Sequence, residues 1–114
     1  MIAHEREVEG LVLSGDMLKN VLKKVLISPK EGWDGYVMRV FELGSEGYTP
    51  KHSHPWPHIN YILKGKGILH LDGADHEIEA GSFAYVPKDI VHQFKNQGDE
   101  TLSFICIVPE EGDL

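Results

Sequence analysis

The sequence predicts an all-β domain built from many short strands. Glycine and proline recur at short intervals along the 114 residues, and most segments between them are rich in β-branched, aromatic and other apolar residues. Short strands separated by regular turn signals are typical of a β-sandwich or β-barrel. The length suits one domain with its own apolar core, and no linker or internal repeat divides the sequence. We therefore expect a single domain over residues 1–114.

The strands can be placed from the turns that bound them. In chain order, the predicted strands cover residues 36–43, 59–63, 68–71, 76–79, 83–86, 92–95 and 101–108. The dipeptide Asp72-Gly73 predicts a hairpin turn between the third and the fourth. Apolar residues from Met17 to Leu26 fit one face of a helix, with Asp16 as its N-cap, but residues 21–27 suit a strand equally well. We favour an additional edge strand there, because it extends an all-β body.

The composition excludes two classes of partner. The chain has 11 basic and 18 acidic residues, so its net charge is −7 with neutral histidines, and this sign opposes a phosphate backbone. No apolar run approaches the ~20 residues of a membrane span, and the charged N-terminus lacks the apolar core of a signal peptide. Cys106 is the only cysteine, which suits a reducing compartment. We expect a cytoplasmic protein that binds neither nucleic acid nor membranes.

Histidines form the one cluster in the sequence with converging geometry. His52, His54 and His58 lie within seven residues, and His92 follows downstream. Imidazole is a metal ligand that is largely neutral near physiological pH. Side chains at i and i+2 of an extended chain point to the same side, so His52 and His54 can reach one ion together. Two prolines then redirect the chain, and His58 approaches the same point from the next strand. The alternative that His58 stands behind a three-ligand site stays open.

The histidines belong to two motifs with defined spacing. The first covers residues 47–65 and reads His-x-His, three residues, a third His, six residues and Gly65. The glycine that usually precedes such a motif would fall on Glu46, one place before Gly47. The second motif covers residues 81–96 and reads Gly, five residues, Pro-x-Asp, two residues, His, three residues and Asn.

At these spacings the two motifs resemble those of the cupin family, although Asp89 stands where the second motif usually has its inner glycine. They span a little under half of the chain. The resemblance implies a jelly-roll β-barrel, the double-stranded β-helix, with a metal inside one end. Because this fold hosts many reactions, the resemblance says less about chemistry than about architecture.

The resemblance also implies that His52, His54, His58 and His92 hold one divalent transition metal per chain. Cupins usually have Glu at the position of His58, and a neutral imidazole there leaves the full charge on the ion and strengthens its Lewis acidity. Imidazole suits Zn, Cu, Fe and Ni, whereas Mn takes more oxygen ligands. Cupins nevertheless often carry Mn or Fe, so the resemblance favours these two metals.

Three functions fit such a site. The first is a metal-dependent, dioxygenase-type enzyme that acts on a small enol, diketone or catechol-like compound. The second is a binding or sensing module that holds a small molecule unchanged, and the third is a structural or metal-buffering protein. No Asp or Glu falls within the first motif, so no general base is evident, which favours an oxygenase over an isomerase that transfers protons. We rank the enzyme first.

Several other residues have predicted places. Cys106 is expected to be a buried thiol, or to line the metal cavity if its face of the last strand looks inward. Arg39 interrupts an apolar strand and is expected in an ion pair, with orientation of an anionic substrate as the alternative. Asn60 shares a strand face with His58 and is expected to point inward, while Trp56 is expected to pack or to wall the cavity mouth. Apolar residues on both strand faces predict a homodimer that pairs through the outer sheet and the N-terminal strand.

Overall fold

The computed structural model describes residues 1–113, which form nine β-strands and three short 3₁₀ helices. The strands are β1 (Leu11–Leu13), β2 (Lys19–Ile27), β3 (Tyr36–Tyr48), β4 (His58–Lys64), β5 (Lys66–Leu71), β6 (Ala74–Glu79), β7 (Phe83–Val86), β8 (His92–Lys95) and β9 (Leu102–Pro109). The 3₁₀ helices are Glu5–Glu7, Pro29–Glu31 and Glu110–Gly112. The predicted all-β class and jelly-roll barrel are confirmed.

One long strand organises the curled sheet. Strand β3 pairs along its length with β2 on one side and β9 on the other, and its last residue, Tyr48, pairs with Lys95 of β8. Strands β9, β4 and β7 continue from β3 in one direction, and β8, β5 and β6 continue in the other. All pairings are antiparallel. Because β3 contributes to both parts, the sheet curls on itself and encloses an interior.

The tight turns follow the sequence closely. Asp72 and Gly73 both have positive φ, 50° and 83°, and they join β5 to β6 with Leu71 opposite Ala74, as the hairpin prediction required. Glu46 and Asp89, at the two positions where the motifs usually have glycine, also have positive φ, 58° and 62°. Both positions therefore have the left-handed backbone that favours glycine, although neither residue is a glycine.

The N-terminal third corrects two expectations. Residues 19–27 form strand β2, so the strand interpretation is confirmed and the helical one is wrong. However, β2 is not an edge strand, because β1 pairs with it through Leu13↔Val21 on the side away from β3. Strand β1 was not predicted, because it has only three residues and two of them are exposed. None of the helices in residues 1–113 has the length and apolar character that crossing a membrane requires.

The apolar core lies at one end of the enclosed interior. Its fully buried members come from both parts of the curled sheet and include Leu43, Leu69, Phe94, Leu102 and Phe104. Phe94 stacks on Phe104 with ring centroids 4.1 Å apart. This packing joins β8 to β9 across the barrel and leaves the opposite end of the interior for polar side chains.

Candidate metal centre

Three histidines meet at the polar end of the barrel. His52, His54 and His92 each offer a ring nitrogen, and these nitrogens lie within 4.8 Å of one another. The backbone of His52 exchanges two hydrogen bonds with that of His92, at 3.1 and 2.9 Å. This bridge is isolated, because residues 49–57 otherwise form no strand. His52 thus takes part in a single β-bridge rather than in a regular strand, and its side chain converges with that of His54 as predicted.

His58 approaches the same three rings from strand β4. It is the first residue of that strand, as predicted, and its side chain is buried. Its Nε2 lies 3.2 Å from Nε2 of His92, and its ring centroid lies 4.9 Å from that of His92 and 5.4 Å from that of His54. His58 is thus adjacent to the three-histidine group, but it is not one of the residues whose ring nitrogens all lie within 4.8 Å of one another.

Hydrogen bonds fix which nitrogen faces the cluster in three of the four rings. Nδ1 of His54 donates to the carbonyl of Trp56, and Nδ1 of His92 donates to the carbonyl of Ile90, each at 2.9 Å. Nδ1 of His58 donates to Oδ1 of Asn60 at 2.6 Å. In each neutral ring the proton therefore sits on Nδ1, and the Nε2 lone pair is left free.

Asn60 is oriented by its own amide group. Its Nδ2 donates to the carbonyl of Ile105 in strand β9 at 3.2 Å, so its Oδ1 is the atom turned toward His58. An outer partner that accepts a proton from a ligand ring is the usual means of setting ring orientation and tautomer at a metal. The expectation that Asn60 points inward beside the site is confirmed.

The arrangement of lone pairs fits a cation. With Nδ1 protonated in His58 and His92, two Nε2 lone pairs face each other at 3.2 Å, which is repulsive unless a positive charge lies between them. Two nitrogens that bind one ion at about 2.1 Å and roughly 90–110° are about 3.0–3.4 Å apart. The residues present therefore suit a divalent transition metal with imidazole ligands.

Burial favours the neutral, ligating form of three of the imidazoles, those of His52, His58 and His92. It lowers the pKa of His58 to about 3, with further lowering from the neighbouring His92. It also lowers the pKa of His92 to about 4 and that of His52 below its ordinary value. No protonated imidazole needs to lose its proton before a metal binds at neutral pH.

The histidines open into a cavity of about 330 Å³. Most of its wall is apolar, with Phe41, Phe94 and Phe104 at the side away from the histidines. Within residues 1–113 no Asp or Glu side chain lines it. The volume lies at the small end of the range for ligand pockets, so the cavity suits a small molecule whose body is largely apolar.

The remaining predicted residues all border this cavity. Trp56 stacks on the ring of His54 at 4.8 Å and lines the wall, which agrees with its expected place at the mouth. Cys106 is buried and faces inward, and burial raises the pKa of its thiol. Arg39 forms the expected ion pair, with Nη1 3.5 Å from Oδ1 of Asp113, but it also lines the cavity.

Two charged residues near the cavity, Lys23 and Asp113, were not predicted from the sequence. Lys23 lines the cavity and its Nζ lies 2.6 Å from Oδ1 of Asp113. Lys23 lies in an apolar stretch of β2, as Arg39 does in β3. A charged residue within an apolar strand is the sequence feature that could have indicated its place in the cavity wall. The partner Asp113 is 90 residues away in sequence, so no local pattern connects it to either cation.

A comparison with known proteins identifies the family. The profile described as "Cupin domain" matches residues 39–108, which is more than half of the chain. The chain belongs to the cupin family. The recognition made from the two histidine motifs is thereby confirmed.

The relatives of this cupin have varied functions. The chain is 33% identical over 95 residues to 1-methylthio-D-xylulose 5-phosphate methylsulfurylase of Rhodospirillum rubrum, a match that covers 83% of this chain and 60% of the relative. It is 31% identical over 96 residues to polyketide synthase CurC of Streptomyces cyaneus, again with 83% and 60% covered. Among solved structures, the polyketide cyclase RemF of Streptomyces resistomycificus superimposes with a TM-score of 0.89 at 28% identity, over 96% of this chain and 79% of that one. The chain thus spans about 60% of the length of these two curated relatives.

Proposed function

We propose that this cupin is a metal-dependent, dioxygenase-type enzyme that acts on a small enol or diketone. One divalent transition metal would be held by His52, His54, His58 and His92. When bound, the cation supplies Lewis-acid chemistry to an oxygen of the ligand, and Fe adds redox chemistry with O2. The observation that carries the proposal is the meeting of Nε2 lone pairs at the inner end of an apolar cavity.

His58 is proposed as the fourth ligand because of its contact with Asn60. The Asn60 amide holds the His58 ring in the tautomer that points Nε2 toward His92. A histidine that only packed behind the site would not need this orientation. Four neutral donors leave the charge of the cation uncompensated by the protein, so an anionic enolate oxygen is the favoured ligand. Mn and Fe remain the favoured metals by family resemblance.

The names of two relatives support the diketone part of the substrate class. Both the curated relative from Streptomyces cyaneus and the superimposed cyclase from Streptomyces resistomycificus are named for polyketide chemistry, and polyketides are chains of enolisable ketones. The cavity offers an apolar wall for a carbon skeleton and a set of imidazoles at one end. Arg39, Lys23 and Asn60 are among the polar groups that line the cavity and are available to orient the ligand.

The absence of a general base favours one alternative. Because no carboxylate side chain of residues 1–113 lines the cavity, a second candidate is a module that binds its ligand and releases it unchanged. The enzyme and the binding module would both hold the metal, but only the enzyme would convert its ligand into a product. A third, metal buffering, requires that no organic ligand bind the loaded site.

The test is anaerobic reconstitution followed by exposure to substrates. Protein loaded with Fe(II) or Mn(II) is mixed with a panel of 1,3-diketones and catechols, and O2 consumption and products are followed by electrode and mass spectrometry. We expect O2-dependent turnover of at least one diketone, lost in a His52→Ala/His54→Ala variant. Metal-dependent binding without turnover of any compound would support the binding module instead. Product formed without O2 uptake would overturn the dioxygenase assignment.

We also propose that the protein forms a homodimer. The outer face of β4 and β7 carries two cross-strand pairs, Ile59 with Tyr85 and Tyr61 with Phe83. All four are exposed, Phe83 by 82%, and a contiguous apolar patch of this kind marks an interaction surface. Light scattering should show a dimer at micromolar concentration. Phe83→Glu should shift it to monomer, whereas His76→Glu, at an exposed position of β6, should not.

The buried free thiol fits the expected reducing compartment. Cys106 lines the cavity beside the histidines, where oxidation would add bulk and polarity to the wall. Cell fractionation of the natural host tests the proposed cytoplasmic location.

A further inference from the structure

A polar row crosses the floor of the cavity between apolar neighbours. Arg39 of β3, Cys106 of β9 and Asn60 of β4 are directly paired in the sheet. All three are buried and line the cavity. Asn60 orients His58, whereas the proposed function names Arg39 only as a polar group near the ligand and assigns it no particular ligand atom. A guanidinium is costly to bury and is retained in an interior only where it meets acceptors.

Arg39 has fewer acceptors than it has donors. Its Nη2 donates to the sulfur of Cys106 at 3.0 Å, and its Nη1 lies 3.5 Å from Oδ1 of Asp113, a long contact. Its buried Nε has no hydrogen-bond partner among residues 1–113. The group is held in place from one side by Phe41, whose ring centroid lies 4.9 Å from Cζ. The guanidinium is therefore fixed, buried and incompletely bonded.

Lys23 brings a second cation to the same place. It pairs with Phe41 across β2 and β3, so Lys23 and Arg39 are diagonal neighbours on one face. Both reach the single carboxylate of Asp113, Lys23 at 2.6 Å and Arg39 at 3.5 Å. Two cations thus share one anion, and the closer contact belongs to the more weakly buried cation.

The shared carboxylate comes from the segment that follows strand β9 and reaches the cavity wall. Asp113 follows the 3₁₀ helix Glu110–Gly112. Gly112 lines the cavity and lies against Trp56, where a Cβ would stand 2.6 Å from Nε1 of the indole. Asp113 is itself partly exposed. Asp113 therefore follows directly on the residue that packs against Trp56. The indole of Trp56 also stacks on the ring of His54, one of the proposed metal ligands.

We propose that Arg39 and Lys23 form a carboxylate subsite at the edge of the cavity, and that Asp113, whose side chain pairs with both cations without lining the cavity, is displaced from them by a ligand carboxylate. This inference rests on the proposed function in one respect: the same small molecule would bind the metal through an oxygen at its end opposite the carboxylate. Arg39 and Asn60 lie two strands apart, about 10 Å between backbones. The ligand class is therefore a small, largely apolar acid with a metal-binding oxygen a few bonds away from its carboxylate.

A matched pair of probes tests the subsite. 3,4-Dihydroxybenzoate and its neutral amide, 3,4-dihydroxybenzamide, carry the same metal-binding oxygens and differ in the charged group alone. Their affinities for anaerobic Mn(II)-loaded protein are measured by calorimetry. We expect the acid to bind about 10-fold more tightly than the amide, the typical gain from a hydrogen bond to a charged group.

Three variants separate a ligand site from a structural ion pair. Asp113→Asn removes the internal competitor, so affinity for the acid should rise several-fold while affinity for the amide stays unchanged. Arg39→Gln should remove the preference for the acid, and Lys23→Gln should reduce it. Should Arg39→Gln not fold, the Asp113→Asn and Lys23→Gln results decide. Equal affinities for acid and amide in both the unmodified protein and Asp113→Asn would overturn the proposal. So would an Asp113→Asn variant that melts at a lower temperature without any gain in affinity for the acid.

Failure of the metal proposal gives a different result. Benzoate, which lacks the metal-binding oxygens, is titrated into protein treated with a chelator. Binding of benzoate that strengthens in Asp113→Asn supports the subsite even if neither catechol binds the loaded protein, a result that would count against the metal proposal alone. Metal-dependent binding of the amide, with no preference for the acid, leaves the proposed function standing and refutes the subsite.

Discussion

The two ends of the barrel interior are made from the same strands but serve different needs. At the packed end, Leu43 and Leu102 are 0% exposed and contact other apolar side chains. At the histidine end, defined by His52, His54, His58 and His92, polar side chains face a cavity and bring their ring nitrogens close together. The packed end supplies stability without chemistry. The histidine end concentrates donor atoms at a cost in stability that the packed end must offset.

The second motif shows this division within five residues. His92 begins strand β8 and turns Nε2 toward the cluster. Asn96 lies just past the end of the same strand, where its Nδ2 donates to the carbonyls of Leu43, Gly44 and Glu100. It is 2% exposed and borders the packed end. One polar residue of the motif thus contributes to the site, and the other ties loops of the fold together.

The largest expected effect separates the two ends completely. Replacing His52 and His54 by alanine removes two of the proposed ligands, so metal content measured by mass spectrometry should fall from about one ion per chain to near zero. The melting temperature of the chelator-treated protein should change little, because neither ring belongs to the packed end. His76→Ala, at an exposed position, is the matched control and should keep full loading. Undiminished uptake in the double variant would contradict the site.

The reverse experiment acts on the packed end. Leu43→Ala creates a cavity at a position with no exposure, and the free energy of unfolding should fall by about 3 kcal/mol in urea denaturation. The variant should still bind one metal per chain, since Leu43 does not line the cavity. Leu63→Ala, on the half-exposed outer face, should cost under about 1 kcal/mol. A Leu43→Ala variant that folds but loses its metal would show that the two ends are not independent.

The fold could be predicted because its signals are local. Turn residues such as Asp72-Gly73 act within a few positions, and alternation within a strand fixes which side chains face inward. The motif spacing added the barrel topology, which local signals do not contain. The features that were not predicted are also local. Strand β1 is too short and too exposed to show a pattern, and the segment 49–57 brings His52 and His54 together without forming a strand.

The part of the site that could be predicted from the sequence is the part made of histidines. Histidines stand out in a sequence, and the four that approach one another in the barrel are the four that the two motifs contain. The group formed by Arg39, Lys23 and Asp113 draws on three distant segments, and charged residues are common enough that this grouping did not stand out. Long-range pairing across the curled sheet, rather than any local preference, brings them together.

A pH titration of the metal-free protein would sharpen the comparison. The pKa values of His58 and His92 are lowered to about 3 and about 4, below the 6.5 of a solvated imidazole, chiefly by burial. From pH 6.5 downward the unfolded chain therefore binds more protons than the native one. Each group then lowers the free energy of unfolding by up to about 1.4 kcal/mol per pH unit, until its own native pKa is reached.

The measurement is urea denaturation in the presence of a chelator at pH 7, 6 and 5. His58→Gln lacks one of the rings whose pKa is lowered in the native state, so its stability should fall less steeply with decreasing pH than that of the unmodified protein. His76→Gln, at an exposed position, should keep the original slope. Equal slopes in all three proteins would mean that burial at the histidine end does not disfavour the charged ring.

The last prediction concerns the residue that orients His58. Asn60 accepts the Nδ1 proton of His58 and donates to the carbonyl of Ile105 in β9. Asn60→Leu removes the acceptor, which frees the His58 ring to rotate and to change tautomer, and metal affinity should fall about 10- to 100-fold. Asn60→Asp keeps an acceptor oxygen of the same reach and should restore much of that affinity. A competition titration against a fluorescent chelator gives both values. If Asn60→Leu and Asn60→Asp weakened binding equally, the amide would matter for packing rather than for orientation, and His58 would lose its main support as the fourth ligand.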